Sequence, residues 1–337
     1  MKRIVLTFKI AWACSLLSVQ SLHAENLSSE QQTFRVEGGY YHWEEPIRPI
    51  IPVVIADPRK ALLGEKLFHD TRLSADNTIS CNDCHNLEKF GADDKPKSMG
   101  INNTLGSTNA PTVFNTVFNI AQLWDGQADT LLNQVELPIH NEKEMGSNWQ
   151  QVIAKLKKDR EYRTAFGLLY PQGITADSIA DAIATFESSL TTPGSRFDRF
   201  LLGEENAISE REKQGYALFK SYGCIACHQG VNVGGNMFQT MGLMGNYFKD
   251  RNSVTEADFG RYNVTGLEAD RYVFKVPSLR FAVKTPPYFH DGSAQTLDEA
   301  IIIMARYQLG RTIPMHDVQL IKAFLNTLVG EYQRVIP

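Results

Sequence analysis

Apolar positions along the chain recur mainly at helical spacing. Trp149, Val152, Ile153 and Leu156 fall on one stripe and Ile179, Ile183, Phe186 and Leu190 on another, which predicts amphipathic helices over both segments. Asp57-Pro58 supplies an N-cap and a first-turn proline. The helix it opens carries Leu62, Leu63, Leu67 and Phe68 toward a core and runs into Cys81. Ser209-x-x-Glu212 and Thr296-x-x-Glu299 each fit a capping box. The last helix has Val318, Ile321 and Leu325 on one side, with Gly330 placed to stop it. No convincing run of alternating strand residues occurs, so the pattern predicts an all-α protein with long loops and little strand.

A weak repeat organises these helices. Gly64-x-x-Leu67-Phe68 precedes Cys81-Asn82-Asp83-Cys84-His85, and Gly215-x-x-Leu218-Phe219 precedes Cys224-Ile225-Ala226-Cys227-His228. Read as two modules of one kind, residues 57–193 form the first domain and 194–337 the second. The link falls near Thr191–Ser195, where periodicity lapses and Pro and Gly cluster, and the C-terminal segment is expected to pack back on the first domain. Residues 25–56 hold Tyr40, Tyr41, Trp43, Pro46, Pro49 and Pro52 and are expected to form an extended N-terminal arm packed on the first domain.

Length and composition agree with two domains: 337 residues, 43 % hydrophobic and 21 % charged, enough for about two cores. The net charge of −4 argues against a non-specific nucleic-acid binder. Residues 1–24 open on Met1-Lys2-Arg3, continue through the apolar run Ile10–Val19 and end on Ala24. This reads as a secretory signal peptide cut after Ala24, with an uncleaved anchor as the alternative. Cleavage removes three cations and no anion, leaving −7. No run of about 18 uncharged apolar residues remains to span a membrane.

Cleavage also removes Cys14, so every remaining cysteine lies in the two C-x-x-C-H motifs. Disulfides, zinc and a redox dithiol all use C-x-x-C, yet none needs a histidine directly after the second cysteine in both copies. Haem c does: the thiols form thioethers with its vinyl groups and the imidazole reaches the iron. Two covalent haems are therefore expected, and the second axial position of each iron sets its work. For the His228 haem the candidate is Met304, with Met237, Met241, Met244 and Met315 as rivals. For the His85 haem, the loop Lys97–Gly106 contains no histidine, and Met99 is its one soft donor. An open iron there could bind peroxide, and O–O cleavage needs an acid/base. Glu136, Glu142 and Glu144 are the candidates.

At this point the residues resemble the bacterial di-haem cytochrome c peroxidases, a family related to di-haem enzymes that oxidise protein side chains. The resemblance runs from about Leu62 to Gly330 through LGEKLFHDTRLS, CNDCHN, NAPTVFN, WDGQA, the Pro138–Met145 segment, FDRFL, GCIACH, PPYFHDG and MARYQLG. It implies two cytochrome c-like haem domains, with His85 as the proximal ligand of the peroxide-reacting haem. Glu144 is then the acid/base, assisted by Gln134, and Trp124 the electron path. His228 and Met304 ligate the electron-transfer haem, and Asn109 with the carbonyls of Thr285 and Pro287 forms a calcium site. It further implies a periplasmic homodimer that reduces hydrogen peroxide to water with electrons from a small cytochrome c or cupredoxin.

One position departs from the family pattern. Many members carry a histidine that blocks the peroxidatic iron, and Ile101 stands there in this chain, which implies an iron that is not His-blocked. Side-chain-oxidising relatives also lack that histidine, so such an activity is the alternative. Those relatives, however, are expected to use a tyrosine where Met304 stands, and the nearest phenol is Tyr307. A non-catalytic di-haem electron carrier is a further alternative. His69 reads as a packed or surface residue, His140 receives no role, and His290 suits a structural or propionate-binding role.

Overall fold

The glycines of the repeated signature mark where the fold closes. In the computed structural model, which describes residues 34–36, 39–42 and 44–334, Gly64 lies in the helix Pro58–Phe68 and faces the helix Ala176–Ser189. A Cβ at Gly64 would sit 1.9 Å from the Ala182 carbonyl oxygen. Gly215 lies in the helix Glu210–Tyr222, and a Cβ there would sit 2.0 Å from the Leu320 carbonyl of the helix Met315–Asn326. Only glycine lets two helix backbones approach so closely. The same letters thus encode the same contact twice, before each cysteine motif.

Each helix pair has its own apolar cluster. Leu63, Leu67, Val152, Leu156, Ile179 and Ile183 pack in the first, and Phe197, Tyr216, Phe219, Ile321, Phe324 and Leu325 in the second. The second has an aromatic centre, with Phe197 and Tyr216 at 5.0 and 4.9 Å from the Phe324 ring. Among the described residues, strand is confined to two short antiparallel ribbons, Phe34–Val36 with Gly39–Tyr41 and Phe238–Thr240 with Val273–Lys275. The mainly helical class read from the sequence holds.

Several local expectations change. Asp57 caps the first helix as expected, accepting from the Arg59 amide, but that helix ends at Phe68 and does not run into Cys81. Cys81–Cys84 is a separate turn of helix, because Asp70 starts a new 3-10 turn and diverts the chain. Leu62 is only half-buried, since Ala61 takes the inward position. Ser209 and Glu212 form the expected capping box. Thr296 accepts from the Glu299 amide, but the Glu299 carboxylate turns to the Gln295 amide instead of completing the box. Gly330 does not stop the last helix, which ends at Asn326. Its role is another close approach: a Cβ there would lie 2.0 Å from the Thr192 carbonyl. Thr191 and Thr192 are accordingly buried, and Thr192 is held by the Asn115 side chain.

The arm packs on the second half of the chain, not on the first. Pro46 accepts from the Gly230 amide at 2.9 Å and Arg48 donates to the Gly230 carbonyl at 3.2 Å. Ile47 and Ile50 are buried there. The cause is a wholly buried ion pair, Arg280 with Asp198 at 2.8 Å. Its remaining hydrogen-bonding capacity is met by the arm: Asp198 accepts from the Ile50 amide and Arg280 donates to the Arg48 carbonyl, as a buried ion pair requires. The C-terminal segment returns to the first half, with Tyr332 against Phe114 and Arg334 paired to Glu65. The expected signal peptide and Trp43 lie outside the described residues. Among the described residues, no helix is long and apolar enough to cross a membrane.

Candidate functional site

The two cysteine motifs are built alike. Cys81 and Cys84 share one face of their single helical turn, which a Ser80–Asp83 capping box starts. The chain then places His85 so that its amide reaches the Cys81 carbonyl at 2.9 Å. In the second motif Gly223 leaves the preceding helix at φ +97°, Cys224–Ala226 forms a 3-10 turn, and the His228 amide reaches the Cys224 carbonyl at 3.0 Å. All four thiols are free.

Both imidazoles are oriented for the same task. His85 Nδ1 donates to the Pro111 carbonyl at 3.0 Å, and His228 Nδ1 lies 3.4 Å from the Val233 carbonyl. Burial pushes both rings toward the neutral form, His228 to about 4. A neutral imidazole held through Nδ1 leaves Nε2 as its lone-pair donor, the arrangement that suits a metal ligand. Paired thiols beside such an imidazole fit a thioether-linked haem at each motif.

A single cavity brings together most of the residues singled out in the second half. Cys224, Cys227, His228 and Met304 line it, and so do Trp124 and Asn109. Met304 begins a π-helical turn, Met304–Gln308, at the end of the helix Leu297–Ile303; such turns often displace a functional side chain from the α-helical register. Of its rivals only Met241 shares the cavity wall, while Met244 and Met315 are exposed. Tyr307 turns away and donates to Asp250 at 2.9 Å.

Thr285 and Pro287 line the same cavity, and their carbonyls accept no hydrogen bond among the described residues. The Asn109 amide nitrogen is spent on the Lys95 carbonyl at 2.8 Å, so its side-chain oxygen is the end left to accept. Each of the three thus offers the cavity an unclaimed oxygen, the donor type a hard cation takes.

Glu144 belongs to the first motif. Its charge is felt at Cys84, burial raises its carboxyl above the ordinary range, and Asn141 donates to Oε1 at 2.8 Å. Glu136 and Glu142, the other candidates, are exposed. Ile101 caps this turn: its amide donates to the Glu144 carbonyl at 2.8 Å, and a Cβ on Gly146 would strike its Cδ1 at 2.2 Å. Met99 is 41 % exposed. Gln134 ends a short helix, Leu131–Gln134, half-buried and not hydrogen-bonded to Glu144 among the described residues.

Trp124 Nε1 donates to the Asn109 carbonyl at 2.9 Å, and the Asn109 amide donates to the His290 carbonyl at 2.7 Å. Pro111, two residues on, lines the cavity of the second motif while its carbonyl holds His85 of the first. The tryptophan, the His290 loop and the His85 imidazole are thereby tied to one short stretch of main chain.

Known proteins resemble this chain in sequence and fold. The sequence model of the family described as di-haem cytochrome c peroxidase matches residues 58–206. Cytochrome c551 peroxidase of Nitrosomonas europaea is 46 % identical over 291 residues, covering 85 % of each chain. The chain belongs to the di-haem cytochrome c peroxidase family. Cytochrome c peroxidase Ccp of Escherichia coli (strain K12) is 48 % identical over 294 residues, 86 % of this chain but 62 % of that protein, so the chain spans under two thirds of that relative's length. Among solved structures, a MauG-like protein associated with microbial copper homeostasis superposes with a TM-score of 0.71 at 27 % identity, covering 86 % of this chain and 96 % of that one.

Within this member of the family, three features were not legible in the sequence. His290 is buried, held by Asp258 at 2.7 Å, which Arg251 holds in turn at 2.6 Å. Together Arg251 and His290 keep the Asp258 carboxyl far below the ordinary carboxylate range. Glu187 is buried with one carboxylate oxygen unpaired, and burial lifts it to about 8. Lys275 is buried on the cavity wall. All three come from distant segments, and no local spacing announces them.

Proposed function

We propose that this chain is a periplasmic peroxidase that reduces hydrogen peroxide to water, taking two electrons and two protons per peroxide and releasing two waters. The electrons come singly from a small cytochrome c or cupredoxin. The observation that carries the reading is the shared wall: one cavity holds His228 and Met304 and reaches Trp124 and Pro111, the residue whose carbonyl holds His85. Residues 57–193 form the peroxidatic haem domain and 194–337 the electron-transfer haem domain, each carrying a covalent haem c on its cysteine pair.

Bound at these motifs, the haems would supply the redox chemistry; His228 and Met304 are the residues that would hold the second one, and a thioether donor would favour its reduced state. The protein supplies proton and electron handling. Glu144, raised by burial, takes the proton from one peroxide oxygen and returns it to the other, and Gln134 assists in positioning the substrate. Trp124 passes electrons between the domains. Asn109, Thr285 and Pro287 would hold a calcium ion, which would steady the Asn109 segment that receives Trp124. Export follows cleavage after Ala24, and the working form is a homodimer.

Ile101 offers no lone pair where a blocking histidine would stand, so a haem held by His85 would not be His-blocked and would need little or no reductive activation. The same departure favours a second reading, oxidation of a partner protein's side chains; against it, Tyr307 is committed to Asp250, away from the cavity. The test is steady-state turnover of peroxide with ferrocytochrome c, comparing as-isolated oxidised enzyme with enzyme reduced by one electron. Equal rates support the reading. A long lag without pre-reduction overturns the open-iron part, and no peroxide-dependent oxidation of ferrocytochrome c overturns the whole.

A further inference from the structure

Among the residues lining the cavity of the second motif there is no aspartate or glutamate. There are two obligate cations, Arg280 and Lys275. Arg280 is fully committed to Asp198 and to the Val231 and Arg48 carbonyls. Lys275 is different. It is 7 % exposed, ends the strand Val273–Lys275, and its side chain has no hydrogen bond or ion pair among the described residues. Its backbone is pinned, with the amide donating to the Trp124 carbonyl at 2.8 Å and the strand paired to Phe238–Thr240, so the side chain is not free to swing to solvent by a shift of the loop. Burial alone pushes its ammonium down, to about 8.

A buried ammonium without a counter-charge is costly. A cavity that keeps such a group and excludes every carboxylate is shaped for an anionic occupant. We propose that Lys275 pairs with a propionate carboxylate of the haem attached at Cys224 and Cys227, anchoring that edge of the porphyrin beside Trp124. This rests on the haem reading of the second motif. The pairing explains why a lysine stands at the end of a strand whose neighbour, Phe274, stacks on His290 at 4.6 Å: the apolar surroundings strengthen the attraction. It also makes Lys275 a positioning residue that tunes the potential of the electron-transfer haem, because a nearby cation favours the reduced iron.

The test uses the holoenzyme with Lys275→Met and Lys275→Arg, counting haem by pyridine haemochrome and titrating the low-spin haem by spectroelectrochemistry. We expect two haems per chain throughout. In Lys275→Met the one-electron reduction equilibrium falls about tenfold, about 59 mV, and the propionate bending mode in resonance Raman shifts. Lys275→Arg restores both. Two haems with a one-electron reduction equilibrium within twofold of the wild type would overturn the proposal, and a raised melting temperature beside it would mark the removal of an unpaired cation. Fewer than two haems in the wild-type protein would instead overturn the haem reading itself.

Discussion

Glu144→Gln is the perturbation that most directly probes the peroxide site. Glutamine keeps the shape and can still meet the Asn141 side chain, which approaches Oε1 at 2.8 Å, but it cannot carry a proton. Positioned acid/base groups contribute about 10²- to 10⁴-fold to rate, so peroxide turnover should fall by that factor with haem content and melting temperature unchanged. The sign of the pH effect follows from the site. Burial raises the carboxyl and the Asn141 donor lowers it, and the ionised form is the one that accepts the proton. Activity should therefore fail on the acid side at a pH above that of an ordinary glutamate. Asn141→Ala removes the one donor that favours the carboxylate, which moves the acid limb further up. The bond lies at an exposed residue, so its loss is worth about 1 kcal/mol or less, under one pH unit. The assay is stopped-flow peroxide reduction across pH with the two variants in parallel. Wild-type rates in Glu144→Gln, or an acid limb that moves down in Asn141→Ala, would refute the reasoning.

Ile101→His should place an imidazole on the peroxidatic iron; the check is EPR of the fully oxidised protein, which should gain a bis-imidazole low-spin signal, together with a new lag in turnover that one-electron reduction abolishes. Gly64→Ala should destabilise by about 1–3 kcal/mol through overpacking, since its Cβ would fall 1.9 Å from the Ala182 carbonyl, read as a lowered melting temperature, whereas Gly167→Ala, with open space at its Cβ, should be neutral or stabilising. Glu187 binds its proton in the folded chain up to about pH 8 and in the unfolded chain only to about 4.3. Wild-type stability should therefore fall as pH rises through that window, and Glu187→Gln should flatten the fall in melting temperature measured between pH 5 and 8.

What the sequence disclosed was whatever depends on local spacing. C-x-x-C-H is a contact between residues three and four apart, so both motifs and their histidines were visible at once. The Gly-x-x-Leu-Phe signature was visible too, although not the reason for it: the glycine answers a helix more than a hundred residues away, at Ala182 or Leu320. The arm was misplaced for the same reason, because the Asp198–Arg280 pair that receives it is assembled from residues 82 apart. Gly330 reads as a helix stop by position, yet it serves the approach to Thr192. Met304 could be ranked above its rivals only by where its helix lies. Lys275 gives no signal in sequence, since a lysine in a three-residue strand looks like any solvated one.

The stretch Asn109–Pro111 shows how the two halves are kept in register. Asn109 receives Trp124 through its carbonyl and reaches the His290 loop through its amide, while Pro111 orients His85. These are mainly main-chain contacts, and main-chain bonds in buried surroundings are costly to leave unmade. A side-chain interface between the halves would tolerate sliding; this one does not, because shifting Trp124 would strand the Asn109 carbonyl and shifting the His290 loop would strand its amide. Phe274 on His290, and the Asp258–Arg251 pair behind that ring, hold the loop from the far side. The placement of Trp124 relative to His85 and the His290 loop is thus fixed by three residues of backbone, a rigidity that suits the electron path proposed for it.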